Sequence, residues 1–290
     1  MVLGLRPANA LTRSKTSARL SDAGAGHSLI TYLFDCLHMK WIERGRAASW
    51  HLLASLVIAS LAALLVFVVW FPYPYREVSG GRELFELVVG VDVILGPLLT
   101  FIVFNRSKPS KELWRDLAVI VALQLAALGY GMWTVHIARP VYLVHEVDRF
   151  KVVTRADIDQ AELSQAPPQL QKLPLSGVRV IGVRLSRNSS EMFSAVESAI
   201  AGKDISAMPN RWQELDTTNQ AQIRQRARSA AFLRGRATDG GAELNRVISK
   251  AGLQEGEVIA LPLVSRRDDW SVLMSRDDLH IIGYVPINAF

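Results

Sequence analysis

Cysteine is nearly absent from this 290-residue sequence, with Cys36 standing alone. A lone thiol cannot form an intramolecular disulfide, so the fold must be held together by buried apolar surface. Short enzyme motifs are missing too. There is no His-Glu-x-x-His, no Gly-x-Ser-x-Gly, no Cys-x-x-Cys and no phosphate loop ending in Gly-Lys-Ser/Thr. "SGGRE", beginning at Ser79, has the glycines of such a loop but neither its ending nor a preceding soluble strand, so it reads as a turn. No catalytic, cofactor-binding or metal-ligating set is predicted, and Asp268-Asp269 and Asp277-Asp278 read as surface turns.

Charge is missing over one long stretch. Leu52 to Phe71 contains no ionisable residue, and twenty such residues form a helix about 30 Å long, the thickness of a bilayer's hydrocarbon core. Leu84 to Phe104 is interrupted only by Glu86, Asp92 and Gly96-Pro97, and Leu117 to Ala138 carries only Gln124, Tyr130 and His136 as marked polar groups. Three transmembrane helices are therefore predicted, at about 52–71, 84–104 and 117–138, within a membrane region spanning 39–138. Residues 139–290 contain no comparable run and have the size of one domain. Residues 1–38 form a leader whose composition predicts disorder to about Gly26. Met39 opens a basic stretch leading straight into the first span, which makes it an expected start of translation.

The formal charge of +6 is unevenly placed. Arg6, Arg13, Lys15, Arg19, Lys40, Arg44 and Arg46 precede the first span, and Arg106, Lys108, Lys111 and Arg115 separate the second from the third. The first loop offsets Arg76 and Arg82 with Glu77 and Glu83. The positive-inside rule then predicts a cytoplasmic N-terminus and an extracytoplasmic first loop and C-terminal domain. From Arg139 onward 20 basic residues face 18 acidic ones, a balance that gives nucleic-acid binding no support.

The polar residues inside the spans ask for partners. Asp92 is expected about 12 Å below the outer surface. Counting down the third span puts Tyr130 at the same depth and His136 level with Glu86. Asp92, Tyr130 and Gln124 are expected to meet if the two helices are neighbours, with Gly90, Gly96, Gly129 and Gly131 allowing close approach. Pro97 removes a hydrogen bond to the Val93 carbonyl and is expected to kink its helix. A carboxylate facing lipid costs several kcal/mol, by about 3 on insertion scales. Asp92 is thus expected to face protein, as a polar clamp between helices; a proton or ion relay is the sharper alternative. At the outer boundary Trp70, Phe71, Tyr73 and Tyr75 are expected to form an aromatic belt.

The C-terminal domain reads as α+β, or mixed α/β. Tyr142–Val147, Phe150–Thr154 and the stretch from Val178 to Leu185 predict strands, Ser190–Ala201 and Ala242–Ala251 helices, and three apolar runs near the end an antiparallel meander. Thr217 to Arg236 predicts one amphipathic helix with a basic face.

Three blocks carry a resemblance: "WFPYPYREVSGGRELF", "GVDVILGPLLT" and "RPVYLVHEVDRFKVV", in that order and at the expected membrane positions. They resemble the TfpX/TfpZ-type type IV pilin accessory proteins. The resemblance implies a bacterial inner-membrane protein without catalytic activity or cofactor, whose partners are type IV pilin or pilus assembly proteins. It also implies an effect on assembly or on the balance of extension and retraction. Pro72, Gly80, Gly81, Asp92, Gly96, Pro97, Glu146, Asp148 and Arg149 match the family pattern. A membrane-anchored enzyme acting on pilin or envelope material through Glu146 and Asp148 is the alternative from another class.

Overall fold

A computed structural model of the chain describes residues 18–266 and 270–290, with side chains from Trp41 onward. Helix α1 (Ala18–Leu64) passes into a π-helical end over Leu65–Trp70. It is already helical within the stretch whose composition predicts disorder, while residues 1–17 lie outside the described residues. A single turn, α2 (Tyr75–Val78), precedes α3 (Gly81–Val103) and α4 (Ser110–Ala138). Three helices are long and apolar enough to cross a membrane: Trp41–Trp70, Gly81–Val103 and Ser110–Ala138. Each reaches further into its polar flank than the apolar run alone predicts. Hydropathy marks the part suited to hydrocarbon, whereas helical hydrogen bonding continues into the headgroup region.

One compact unit comprises the described part of Met1–Ser55 together with Val93–Gln124. Polar contacts tie its helices. The buried Thr100 hydroxyl lies 2.5 Å from His51 Nδ1, Arg106 reaches Glu43 at 3.0 Å, and Lys108 reaches Asp116 at 2.7 Å. Trp41 and Phe101 are in ring contact. Pro97 lies inside α3 without ending it.

The second unit comprises Leu56–Asp92 and Leu125–Phe290. Its helical part buries Ala62, Val66, Phe71, Phe85 and Val135 in one cluster. Beyond Ala138 the chain forms a mixed sheet. In chain order the elements are β1 (Pro140–Glu146), β2 (Arg149–Thr154), β3 (Arg179–Val183), α5 (Ser189–Ile200), β4 (Trp212–Gln213), α6 (Thr217–Arg226) and β5 (Arg228–Ser229). They continue with α7 (Ala230–Arg234), α8 (Ala242–Lys250), β6 (Val258–Val264), β7 (Trp270–Ser275) and β8 (Ile281–Val285). The sheet runs β4-β3-β1-β2-β6-β7-β8, with β5 pairing on β6. The β1–β3 and β2–β6 pairs are parallel and the rest antiparallel, including the β6–β7–β8 meander that the short separators predict. Asp268-Asp269, between β6 and β7, lies outside the described residues.

Both faces are covered, which explains why β1 is apolar almost throughout instead of alternating. One face buries Leu143, Phe150, Val152, Leu261 and Val272 beneath Ile223 of α6. The other carries Tyr142, Val144, Ile181 and Trp212 at one end and Leu233, Leu244 and Ile248 of α7 and α8 at the other. The single helix predicted over Thr217–Arg236 is two helices. Ala227 is extended, and Arg228 and Ser229 pair with Ala260 and Ile259 of β6, so sheet hydrogen bonds override helical propensity there. The basic face is engaged within the domain: Arg224 donates to the Arg276 and Asp277 carbonyls, Arg234 binds Glu255, and Arg228 and Arg236 lie over Phe232.

The four intramembrane glycines divide into two kinds. A Cβ on Gly131 would lie 2.3 Å from Val88 Cγ1, and one on Gly96 would lie 1.9 Å from the Gln124 amide nitrogen. Among the described residues nothing lies within 4 Å of a Cβ on Gly90 or Gly129. Gln124 ends in a flexible amide, whereas Val88 is β-branched and stiff. Gly131→Ala should therefore cost about 1–3 kcal/mol by overpacking. Gly96→Ala should cost less, and Gly90→Ala and Gly129→Ala should be neutral or stabilising by up to about 1 kcal/mol. The order of melting temperatures in detergent checks this.

Candidate functional site at the membrane junction

The segment between the first two spans begins with a turn closed by the Tyr75 N–H donating to the Pro72 carbonyl at 2.8 Å. It then enters the sheet domain. Tyr75 and Val78 are buried in the same cluster as Leu143, Phe150, Leu261 and Val272. The Tyr75 hydroxyl lies 3.1 Å from that of Tyr284 on β8, with the two rings edge to face, and Ser79 and Ser265 hydroxyls are 3.4 Å apart. Burial, with Tyr284 adding to it, keeps the Tyr75 phenol protonated well above its usual range.

Phe71 and Tyr75 are thus not members of a lipid-facing belt. Phe71 is fully buried against Gly81, where a Cβ would lie 2.3 Å from its ring. Sequence alone gives amphipathic rings beside a span the same signature whether they meet lipid or protein. Tyr73 does stay exposed, beside Trp270. Gly80, at φ +72°, adopts a backbone conformation that side chains disfavour, and the Arg266 side chain packs 3.5 Å from its Cβ position.

On the other side of the junction, the last turn of α4 places His136 edge-on to Trp70, with ring centroids 4.9 Å apart. His136 Nε2 lies 3.1 Å from Arg155 Nη1. Arg139, almost wholly buried, donates from Nη1 to the Pro174 carbonyl at 2.6 Å. The Gly177 N–H donates to the Val69 carbonyl at 3.2 Å, joining the α1 end to the connector before β3.

Of the intramembrane residues that the sequence groups together, Asp92 and Tyr130 belong to the second unit and Gln124 to the first. Asp92 is part-buried on α3 and engaged. Tyr130 does not join it: the ring is 71% exposed and lies beside Trp133, on a surface that a bilayer would cover. Glu86 pairs with Arg82 at 2.8 Å. Gln124 packs at Gly96. His51 and Thr100, a buried polar pair, went unmarked in the sequence because each is an isolated polar residue in an apolar surround.

In the sheet domain, Glu146 Oε1 accepts from the Ser206 N–H at 2.7 Å, fastening the turn after α5. Asp148 holds Arg149 through two hydrogen bonds, which lower its proton affinity, and the Arg149 guanidinium lies over the Phe290 ring. Both carboxylates therefore have structural duties. His145 is fully buried, with Nε2 unpartnered and Nδ1 3.5 Å from Asn219 Nδ2. Asn219 itself donates to the Val183 carbonyl and accepts from Gln213, and it fits only because residue 182 is glycine. Burial drives the His145 imidazole down to about 4, against the opposing pull of Asp148. Among the described residues no group of three or more His, Cys, Asp or Glu is placed to hold a metal ion.

The fimbrial assembly protein FimB family matches residues 39–80, from within α1 to the loop docked in the sheet domain. Fimbrial assembly proteins of Dichelobacter nodosus serogroups I and E1 are 39% and 37% identical over 254 and 256 residues, covering 87% of this chain and 98% of each relative. That of serogroups C1 and C2 is 46% identical over 127 residues, 44% of this chain and 97% of the relative. No solved structure matches. Similarity of this extent to relatives covered almost end to end means that the chain belongs to the fimbrial assembly protein family.

Proposed function

We propose that the protein is a non-enzymatic inner-membrane accessory factor of TfpX/TfpZ type. On this reading it has a cytoplasmic N-terminus and a periplasmic sheet domain, and it promotes type IV pilus assembly or shifts the balance of extension and retraction by protein–protein contact. The names of its relatives support the assembly role, and the basic residues flanking the spans support the orientation.

One observation carries the contact mechanism. Helix α5 buries none of its residues, yet Met192, Phe193, Val196 and Ile200 fall on one stripe, with Phe193 76% and Ile200 84% exposed. Soluble surfaces rarely leave such a row uncovered unless it receives a partner. α5 is held in place from its other side: Glu191 accepts from Arg184 at 2.6 Å and from the Arg187 N–H at 2.6 Å, and Asn188 caps the first turn. A rigid apolar ridge of this kind suits docking against a subunit of the pilus machinery.

The double substitution Phe193→Glu and Ile200→Glu touches no buried residue and should leave the melting temperature unchanged within the roughly 0.5 kcal/mol typical of surface changes. Surface pili and twitching should fall to the level of a deletion strain. Normal piliation by this variant, expressed at wild-type level, would sink the proposal.

A further inference from the structure

A cluster of positive charge without a counter-ion sits where α4 ends. The β1–β2 hairpin register pairs Pro140 with Thr154, so Arg139 and Arg155 come together, and the Arg155 N–H donates to the Arg139 carbonyl at 3.0 Å. Neither guanidinium pairs with a carboxylate among the described residues. Arg155 spends a donor on His136 Nε2, which must then be the unprotonated acceptor of that imidazole. Arg139 has the Pro174 carbonyl on Nη1 and a buried Nε with no partner. Burial and the facing Arg155 both lower the proton affinity of Arg139.

The C-terminal carbonyls of α4 offset only about half an elementary charge. Two guanidiniums in one place therefore leave a net positive site. Helices do not gather such charge at low cost, and truncated or unpaired buried cations are among the most destabilising features a fold can carry. The position names the anion. His136 and Trp70 lie in the last turns of helices long and apolar enough to span a bilayer, which is the depth of the phospholipid headgroups, and basic pockets at the ends of membrane helices bind phosphate there.

We propose that His136, Arg139 and Arg155 form a binding site for the phosphate of a membrane phospholipid at the sheet-domain end of the helices. Arg155, only part-buried, makes the direct contact. Arg139 supplies charge from behind it, and His136 orients the Arg155 fork. The acyl chains would run along the apolar surface of the helices.

The test uses the full chain, delipidated in non-ionic detergent and titrated with phosphatidylglycerol, phosphatidylcholine, diacylglycerol and inorganic phosphate while bound species are counted by native mass spectrometry. Both phospholipids should bind and diacylglycerol should not. Arg155→Gln should weaken phospholipid binding about tenfold, the equivalent of one charge-assisted hydrogen bond, while Arg155→Lys restores part of it. Lys250→Gln, which removes an equal charge from the exposed end of α8, should change nothing. The melting temperature of Arg155→Gln without lipid should not fall below that of wild type, separating lost binding from lost folding. Equal binding of diacylglycerol, equal affinity of Arg155→Gln, or an equal loss in Lys250→Gln would overturn the site. Saturation by inorganic phosphate in a manner sensitive to Arg155 would overturn its assignment to lipid.

Discussion

Val78→Asp is expected to abolish the cooperative melting of the sheet domain while leaving the membrane helices helical. Val78 is fully buried on the face formed by Leu143, Phe150, Leu261 and Val272. A carboxylate there would be set among apolar side chains, and an unpaired buried charge typically costs about 3–5 kcal/mol. That is a large part of the roughly 5–15 kcal/mol that holds a domain together. Near-ultraviolet circular dichroism and limited proteolysis of the detergent-solubilised protein would report the loss. Tyr73→Ala, five residues earlier on the exposed side of the same loop, should melt within a few degrees of wild type. If the two variants behave alike, the loop is not part of the domain core.

Stability should also fall as the pH is lowered from neutrality. His145 takes up a proton near pH 4 when folded and near 6.5 when unfolded. Between those values the unfolded chain binds a proton that the folded chain refuses. The stabilisation is complete above pH 6.5 and is lost as pH falls towards 4. At about 1.4 kcal/mol per tenfold change in proton affinity, the whole window is worth about 3 kcal/mol. Glu191 and Asp278, both lowered to about 2 by hydrogen bonds from Arg184 and His280, lose their contributions only at lower pH, as the solution passes below the ordinary carboxylate range. Denaturant titrations from pH 7 to 4 should show the decline in the wild type. His145→Leu, similar in size and without a proton to accept, should flatten it. An unchanged slope in that variant would remove His145 from the account.

The three spans and most of the strands were legible because hydropathy responds directly to burial. Leu52 to Phe71 can do little else than cross a bilayer, and β1, β6 and β7 are apolar enough to be buried on both faces. The partners of single residues were less legible. Tyr75 and Val78 lie in a Pro- and Gly-flanked turn, and nothing local says that this turn is a piece of a core assembled from residues 65 or more positions later. The parallel pairing of β1 with β3 and of β2 with β6 also depends on long-range choices that periodicity does not encode. The exposure of Tyr130 is hard to read from sequence for a related reason. Depth along a helix follows from a count, but the side it faces depends on how the neighbouring helix is rotated, and the 3.6-residue period leaves that open.

The family model ends at residue 80, inside the loop that the domain encloses. Because α2 is gripped by the sheet while β1 follows one residue after α4, the domain is moored to the helices by two separate covalent stretches, one from each side of α3. A tug on β7 or β8 would be shared between these two stretches and would not fall on Arg139 alone. A machine that loads this domain mechanically would therefore act on the helices through two attachments at once, not through a single tether.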